Sequence, residues 1–280
     1  MVGGDLAGII FGLASALSWG AGDFSGGLAT KRAPVFGVLA LGHGAGLLLL
    51  IVLALGWGEP LPSVTDLVWG LVAGLAGAVG LASLYHALAV GQMGMVAPVS
   101  AVLTAALPAL FGVLTEGMPG TLKLVGFGLE LVGIWLVAGT GASVGARDGL
   151  GLAVLAGCGF GVFFILVHRA GTSAIFWPLT AARCGSLGLV LPIALGRRQF
   201  LQPDLRLLVP VLLSGALDVA GNAFFVLAGQ AGRLDVAAIL ASLYPASTAL
   251  LAALLLGEPV IRVQVIGIVA ALAAIALIAS

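Results

Sequence analysis

Long apolar stretches, broken only by short clusters of charge, proline or glycine, organise this sequence. Residues 47–55 are apolar without interruption, so the period-2 alternation of a barrel strand is missing. A helix that crosses a bilayer needs about 20 mostly apolar residues, and hydrocarbon leaves its backbone groups no partner but each other. The stretches therefore read as helices. Cutting at the charges, prolines and glycine clusters predicts ten, at about 5 to 25, 34 to 57, 66 to 89, 95 to 115, 121 to 139, 149 to 168, 175 to 195, 206 to 228, 234 to 256 and 261 to 279. The longest connections, 56–66 and 196–206, are too short to fold alone, so any chemistry belongs among the helices.

Composition agrees. Only 8% of the 280 residues are charged and 61% are apolar, with a mean hydropathy of +1.24, whereas soluble domains carry about 25% charge. The expected class is an all-α, multi-pass integral membrane protein. Net charge is zero and there is no basic run, which argues against nucleic acid as a partner. The first span lacks a cationic leader and holds Asp23, so it reads as a retained helix. Cys158 and Cys184 stand singly and read as small packing residues. Nine Arg against two Lys, with abundant Ala and Gly, is compatible with a GC-rich bacterial genome, hence an inner-membrane location.

The chain repeats itself at half its length. Ala89-Val90-Gly91-Gln92-Met93-Gly94 in the first half answers Ala228-Gly229-Gln230-Ala231-Gly232 in the second, and Leu114-Thr115-Glu116-Gly117-Met118-Pro119 answers Leu256-Gly257-Glu258-Pro259. Two copies of five spans follow, 1–143 and 144–280. Because five is odd, the second copy enters the membrane inverted, the plan on which many secondary transporters are built, with a site near the midplane between the repeats.

The sequence resembles the drug/metabolite transporter superfamily, specifically ten-helix proteins made of two EamA-type domains. The resemblance rests on Leu17-Ser18-Trp19-Gly20, the segment from Ala87 to Gly91, and Tyr244-Pro245 followed by Leu254-Leu255-Leu256-Gly257-Glu258-Pro259. It implies a central pocket formed by spans one, three, four, six, eight and nine, with spans five and ten at the periphery. It names no substrate, since such proteins export amino acids, nucleosides, drugs and other metabolites. Two departures stand out: members often carry Arg early in the second span, where this chain has His43 and keeps Arg only at Arg183, and Asp23 stands where many relatives have small or hydroxyl residues.

Ionisable residues inside spans are the strongest local signals, each costing about 2.5 to 3.5 kcal/mol on insertion scales. Asp218, Asn222 and Phe225 share one face of span eight by helical spacing, which suits a pocket or proton carrier, or an interhelical hydrogen bond. His43 and Arg183 coincide when Ala54-Leu55-Gly56 is laid on Ala194-Leu195-Gly196. Either suits a substrate carboxylate, and either could instead snorkel to the interface. Ser15, Ser18, Trp19, Gly22 and Asp23 form a small, hydroxylated and finally acidic face in span one, with Trp19 as a pocket wall. Span four offers Ser100, Thr104 and Pro108; span nine offers Ser242, Tyr244, Pro245 and Thr248, where proline makes a kink or local polar site. Tyr85 and His86 end span three and suit either pocket or headgroups. Glu130, mid-span in helix five, leaves a polar pairing, a dimer contact or a protonated state open. Glu116 and Glu258 read as helix-end structure.

The functional expectation is a secondary transporter that exports a small amphipathic metabolite such as an amino acid. The substrate set is Trp19, His43, Tyr85, His86, Ser100, Arg183, Asn222 and Tyr244; Asp218, then Asp23, would carry protons if transport is proton-coupled. A facilitator without coupling, a channel and an intramembrane enzyme are the alternatives. The sequence shows no metal cluster, phosphate-cradling loop or paired catalytic acid motif, so no cofactor or enzyme activity is expected. The expected partners are lipid, a small solute and, if transport is coupled, protons, in a monomer or homodimer. Lys and Arg in short loops favour both termini outside, whereas the resemblance implies both in the cytoplasm.

Overall fold

The computed structural model describes residues 2–90, 93–138, 149–199, 204–257 and 261–278, and the described residues contain helices and no strand. In chain order the helices are α1 (Val2–Thr30), α2 (Val35–Gly56), α3 (Val64–Val90), α4 (Met93–Glu116), α5 (Thr121–Ala138), α6 (Leu150–Ala170), α7 (Phe176–Gly196), α8 (Leu205–Ala231), α9 (Leu234–Ala241), α10 (Tyr244–Leu256) and α11 (Arg262–Ile278). Eight spans are long and apolar enough to cross a membrane, with α9 and α10 counted together as Leu234–Leu256. α5, at 18 residues, and α11, at 17, are the short pair and pack on each other. Leu48, Val52, Leu114, Leu254 and Leu272 point outward with more than half their surface open, as expected where the solvent is lipid.

Proline treats two spans differently. Between α9 and α10 the helix breaks at Ser242 and Leu243, and Pro245 opens α10, where its missing N–H costs nothing. α4 runs through Pro108 unbroken. The polar side chains nearby turn back on their own helices: Thr104 Oγ1 donates to Ser100 O at 2.8 Å, Ser242 Oγ to Ala238 O at 2.7 Å, and Thr248 Oγ1 to Tyr244 O at 3.0 Å. This back-bonding supplies donors to carbonyls inside spans where no water can.

Helix contacts come in matched pairs. α1 packs along α8 as α3 packs along α6; α3 crosses α7 as α8 crosses α2; α4 lies on α6 as α9 and α10 lie on α1. The crossings need bare backbone. A Cβ on Gly74 would fall 1.8 Å from Ala182 O, and one on Gly215 would fall 2.4 Å from Gly42 O. Small residues let the helices approach this closely, and van der Waals contact then replaces the hydrophobic drive that lipid does not supply.

Helix ends are matched as well. After α2, Trp57, Gly58 and Glu59 donate backbone N–H groups to Leu53, Leu55 and Ala54; after α7, Arg197, Arg198 and Gln199 donate to Ile193, Leu195 and Ala194. Both turns need a left-handed residue, and it is Gly58 in one (φ 66°) and Arg198 in the other (φ 53°). Beyond the turns, Glu59 accepts from the N–H groups of Ile175, Phe176 and Trp177 at the start of α7, and Gln199 accepts from Phe36 N at the start of α2.

Candidate functional site

Between these helices lies a cavity of about 430 Å³, within the usual size range of small-molecule sites. Its wall draws on α1 to α4 and on α6, α7, α8 and α10. Toward one membrane face it reaches Gly26, Gly27 and Thr30 at the end of α1 and Val38 near the start of α2.

Aromatic rings form one side. Trp19 stacks on Phe164 with centroids 5.1 Å apart and planes 7° from parallel, Phe164 meets Phe225 at 4.6 Å, and Tyr244 stands edge-on to Trp19 at 6.5 Å. Gly221 makes room for the indole, since a Cβ there would fall 2.4 Å from its Cδ1. Ser15 Oγ donates to Gly221 O at 2.8 Å and ties α1 to α8 beside the ring. Trp19 is thus a pocket wall held from behind.

The polar side is built on α2, α7 and α8. Arg183, 9% exposed, forms an ion pair with Asp218, whose side chain is about one-third open to the cavity. Asn222 Nδ2 donates to Asp218 Oδ2 at 3.1 Å and to Asp218 O at 2.6 Å, a spacing of one turn. Its Oδ1 is buried without a partner among the described residues. One turn up the cavity, His43 Nδ1 and Ser186 Oγ are 2.6 Å apart. Asp23 lines the cavity near Tyr244, within electrostatic reach of it, and has no hydrogen bond or ion pair among the described residues.

Of the candidates from sequence, the structure brings Trp19, Asp23, His43, Arg183, Asp218, Asn222 and Tyr244 to this one cavity. Two do not join them. Ser100 is buried where α4 packs on α6, its carbonyl against Gly157; His86 is exposed at the end of α3 and is not among the lining residues. The side chain of Tyr85 lies outside the described residues. The Arg183 guanidinium does not snorkel: the Asp218 carboxylate on α8 gives it a nearer counter-charge than the headgroups do. Cys184 is exposed on α7, not packed, because that position faces away from α2 and α8.

Sequence reasoning missed Phe160, Phe163, Phe164 and Ser186. Ser186 had a signal, because the displacement that carries His43 onto Arg183 also carries Gly46 onto Ser186. Away from the cavity, Glu116 accepts from Leu234 N at 3.1 Å and caps α9, and Arg233 holds Asp235 and the Glu116 and Gly117 carbonyls. Glu258 lies outside the described residues. Glu130 is fully buried in α5, and neither of its carboxyl oxygens has a partner among the described residues.

Residues 147–280 match the EamA-like transporter family. A solved structure described as "Crystal structure of protein" shares the fold at a TM-score of 0.80, with 18% sequence identity over 96% of this chain and 95% of that one. No curated protein sequence matches the chain.

Proposed function

We propose that this chain belongs to the EamA-like transporter family, which residues 147–280 match, and that it is a secondary carrier exporting small amphipathic metabolites, amino acids among them, by alternating access. In this reading 1–143 and 144–280 are two five-helix repeats of opposite orientation, α5 and α11 complete a set of ten spans, and the repeats rock about the cavity they share. The cavity itself carries the proposal: an aromatic wall and a polar wall face each other, and both repeats contribute to each. The matched helix pairs and matched helix ends support a common origin for the halves, and five spans per copy supply the inversion.

The mouth lies on the face of Lys31, Arg32, Arg197 and Arg198, reached through Thr30 and Val38. The positive-inside bias puts that face in the cytoplasm, so this state loads from inside, in keeping with export from a bacterial inner membrane. Proton coupling belongs to Asp23 ahead of Asp218. Asp218 is held by Arg183, and a carboxylate already matched to a buried cation gives up its charge at a cost.

Proteoliposomes test the reading. Saturable uptake of an amino acid or amine, quickened by a pH gradient in the wild type and indifferent to it in Asp23→Asn, is the outcome this assignment requires. Ion currents beyond carrier turnover would make the protein a channel, and a covalently altered solute would make it an enzyme. Loss of gradient coupling in Asp218→Asn alone would return the proton to Asp218.

A further inference from the structure

The charged groups of the cavity are not equally satisfied. Arg183 is committed to Asp218, while Asp23 faces the open space with no cation and no hydrogen-bond donor among the described residues. Asn222, with its Nδ2 spent on Asp218, has an Oδ1 that also lacks a donor among the described residues, but that atom is buried, so Asp23 is the acceptor open to a ligand. We infer that the cavity recognises a ligand bearing an ammonium group, with Asp23 as its counter-ion and the Trp19, Phe160, Phe163 and Phe164 wall receiving its apolar body. The inference deepens the carrier reading, and rests on it for identifying this ligand with the transported solute.

The sign of the preference follows from what each kind of ligand must disturb. Among the described lining residues an anion finds Arg183 already paired and His43 already bonded to Ser186, and reaching Arg183 means displacing Asp218 and leaving that partly buried carboxylate without its cation, a costly way to break an ion pair. A neutral ligand displaces solvent from Asp23, which is exposed to the cavity, and puts no positive charge in its place. An ammonium brings N–H donors and a positive charge to the residue that lacks both, and it leaves Arg183 and Asp218 in place. The rest of the pocket sets what hangs from the nitrogen. Leu39, Leu50, Leu81 and Leu179 continue the apolar lining beyond the rings, so a bare inorganic cation would waste most of the cavity.

Phenethylammonium, 2-phenylethanol and 3-phenylpropanoate share an apolar body and differ in the head. Titrated by calorimetry against the full chain in lipid nanodiscs, phenethylammonium should bind about ten-fold or more tighter than the other two, the scale of a hydrogen bond to a charged group. Asp23→Asn, with its unfolding temperature checked, should bring phenethylammonium down to the level of the alcohol, and Asp23→Glu should keep most of the preference. Tighter binding of the carboxylate, equal or absent binding of all three, or a preference that survives in Asp23→Asn overturns the assignment. The wild-type ranking decides even where Asp23→Asn does not fold, and Asp23→Glu then supplies the variant. Counterflow in proteoliposomes separates the two failures. Tight ammonium binding without flux removes the carrier and leaves the site; flux of other solutes without ammonium preference removes the site and leaves the carrier.

Discussion

His43 on α2 and Arg183 on α7 stand at matching places, two turns into matching helices, and each looks across at the other's helix. His43 meets Ser186, while Arg183 lies against Gly46, the residue that matches Ser186: a Cβ on Gly46 would be 3.6 Å from Arg183 Nε. The backbone relation is reciprocal and the chemistry is not. Between α7 and α8 a buried cation answers an acid; between α2 and α3 no such pair forms, for His43 turns to the Ser186 hydroxyl on α7 and Gly77, not an acid, faces the cavity from α3. A frame made of helix crossings and helix ends can be kept in both halves while the side chains that face solute diverge. The result is a cavity in which the second half carries the ion pair and the first half carries Asp23 alone.

The sharpest way to break the comparison is to remove the ion pair that only one half carries. Arg183→Ala strands Asp218, and the loss of one partner of a buried pair costs about 3 to 5 kcal/mol; with a third of the Asp218 side chain open to the cavity, the lower end applies. His43→Ala, which removes one hydrogen bond, should cost about 1 kcal/mol. Thermal unfolding in one fixed lipid environment would order the two. Arg183→Ala/Asp218→Ala should regain more than half of what Arg183→Ala loses, and a double variant no better than the single would show that the pair is not what holds α7 to α8.

Crossing helices offer the next largest contrast. A methyl at position 74 meets Ala182 O at 1.8 Å and one at position 215 meets Gly42 O at 2.4 Å, so α3 and α7 approach more closely than α8 and α2. Overpacking costs about 1 to 3 kcal/mol, and Gly74→Ala should sit at the top of that range with Gly215→Ala below it. Equal losses would mean that the two crossings relax alike and that the closer approach is not a fixed property of the frame.

What could be foreseen from sequence divides along the same line. The spans were legible because lipid demands an unbroken apolar run for each, and α2, α7 and Leu234–Leu256 start and stop within two residues of where charge and proline place them. Trp19, His43 and Asp218 stood out because polar or bulky groups at membrane depth are expensive. The partners were hidden. Helical spacing places a residue on a face of its own helix but does not say which helix that face meets, so Trp19 on Phe164, His43 with Ser186 and Arg183 with Asp218 needed the packing. Ser100 shows the limit from the other side: a polar stripe on α4 has the same spacing whether it lines a cavity or, as here, packs on Gly157.

Helix ends give a smaller contrast. Glu59 accepts at 2.6 to 2.9 Å from Ile175, Phe176 and Trp177 at the positive end of α7, whereas Gln199 gives α2 one neutral hydrogen bond, at 3.2 Å from Phe36 N. Charge-assisted bonds are about twice as strong as neutral ones, and an anion at a helix N-terminus adds about 0.3 to 1 kcal/mol. Glu59→Gln should therefore cost about 1 kcal/mol, and Gln199→Glu should gain a few tenths, both read by unfolding at low ionic strength. An unchanged stability in Glu59→Gln would mean that the carboxylate's charge adds nothing to the bonds.

The smallest expected effect is a gain. Arg198 holds the left-handed place that Gly58 holds in the matching turn, and a side chain there crowds its own carbonyl, at about 1 to 2 kcal/mol for an L-residue. Glycine escapes that penalty but loses more freedom on folding, about 0.5 to 1 kcal/mol. The difference leaves Arg198→Gly more stable by about 0.5 kcal/mol, provided the arginine has no contact to lose; its side chain is exposed and makes no hydrogen bond or ion pair among the described residues. Gly58→Arg should lose a similar amount. Swapping both at once should leave stability near its starting value, because each turn would then have taken on the other's residue. A double variant clearly less stable than the wild type would show that the two turns, alike in their hydrogen bonds, differ in how much strain their surroundings tolerate.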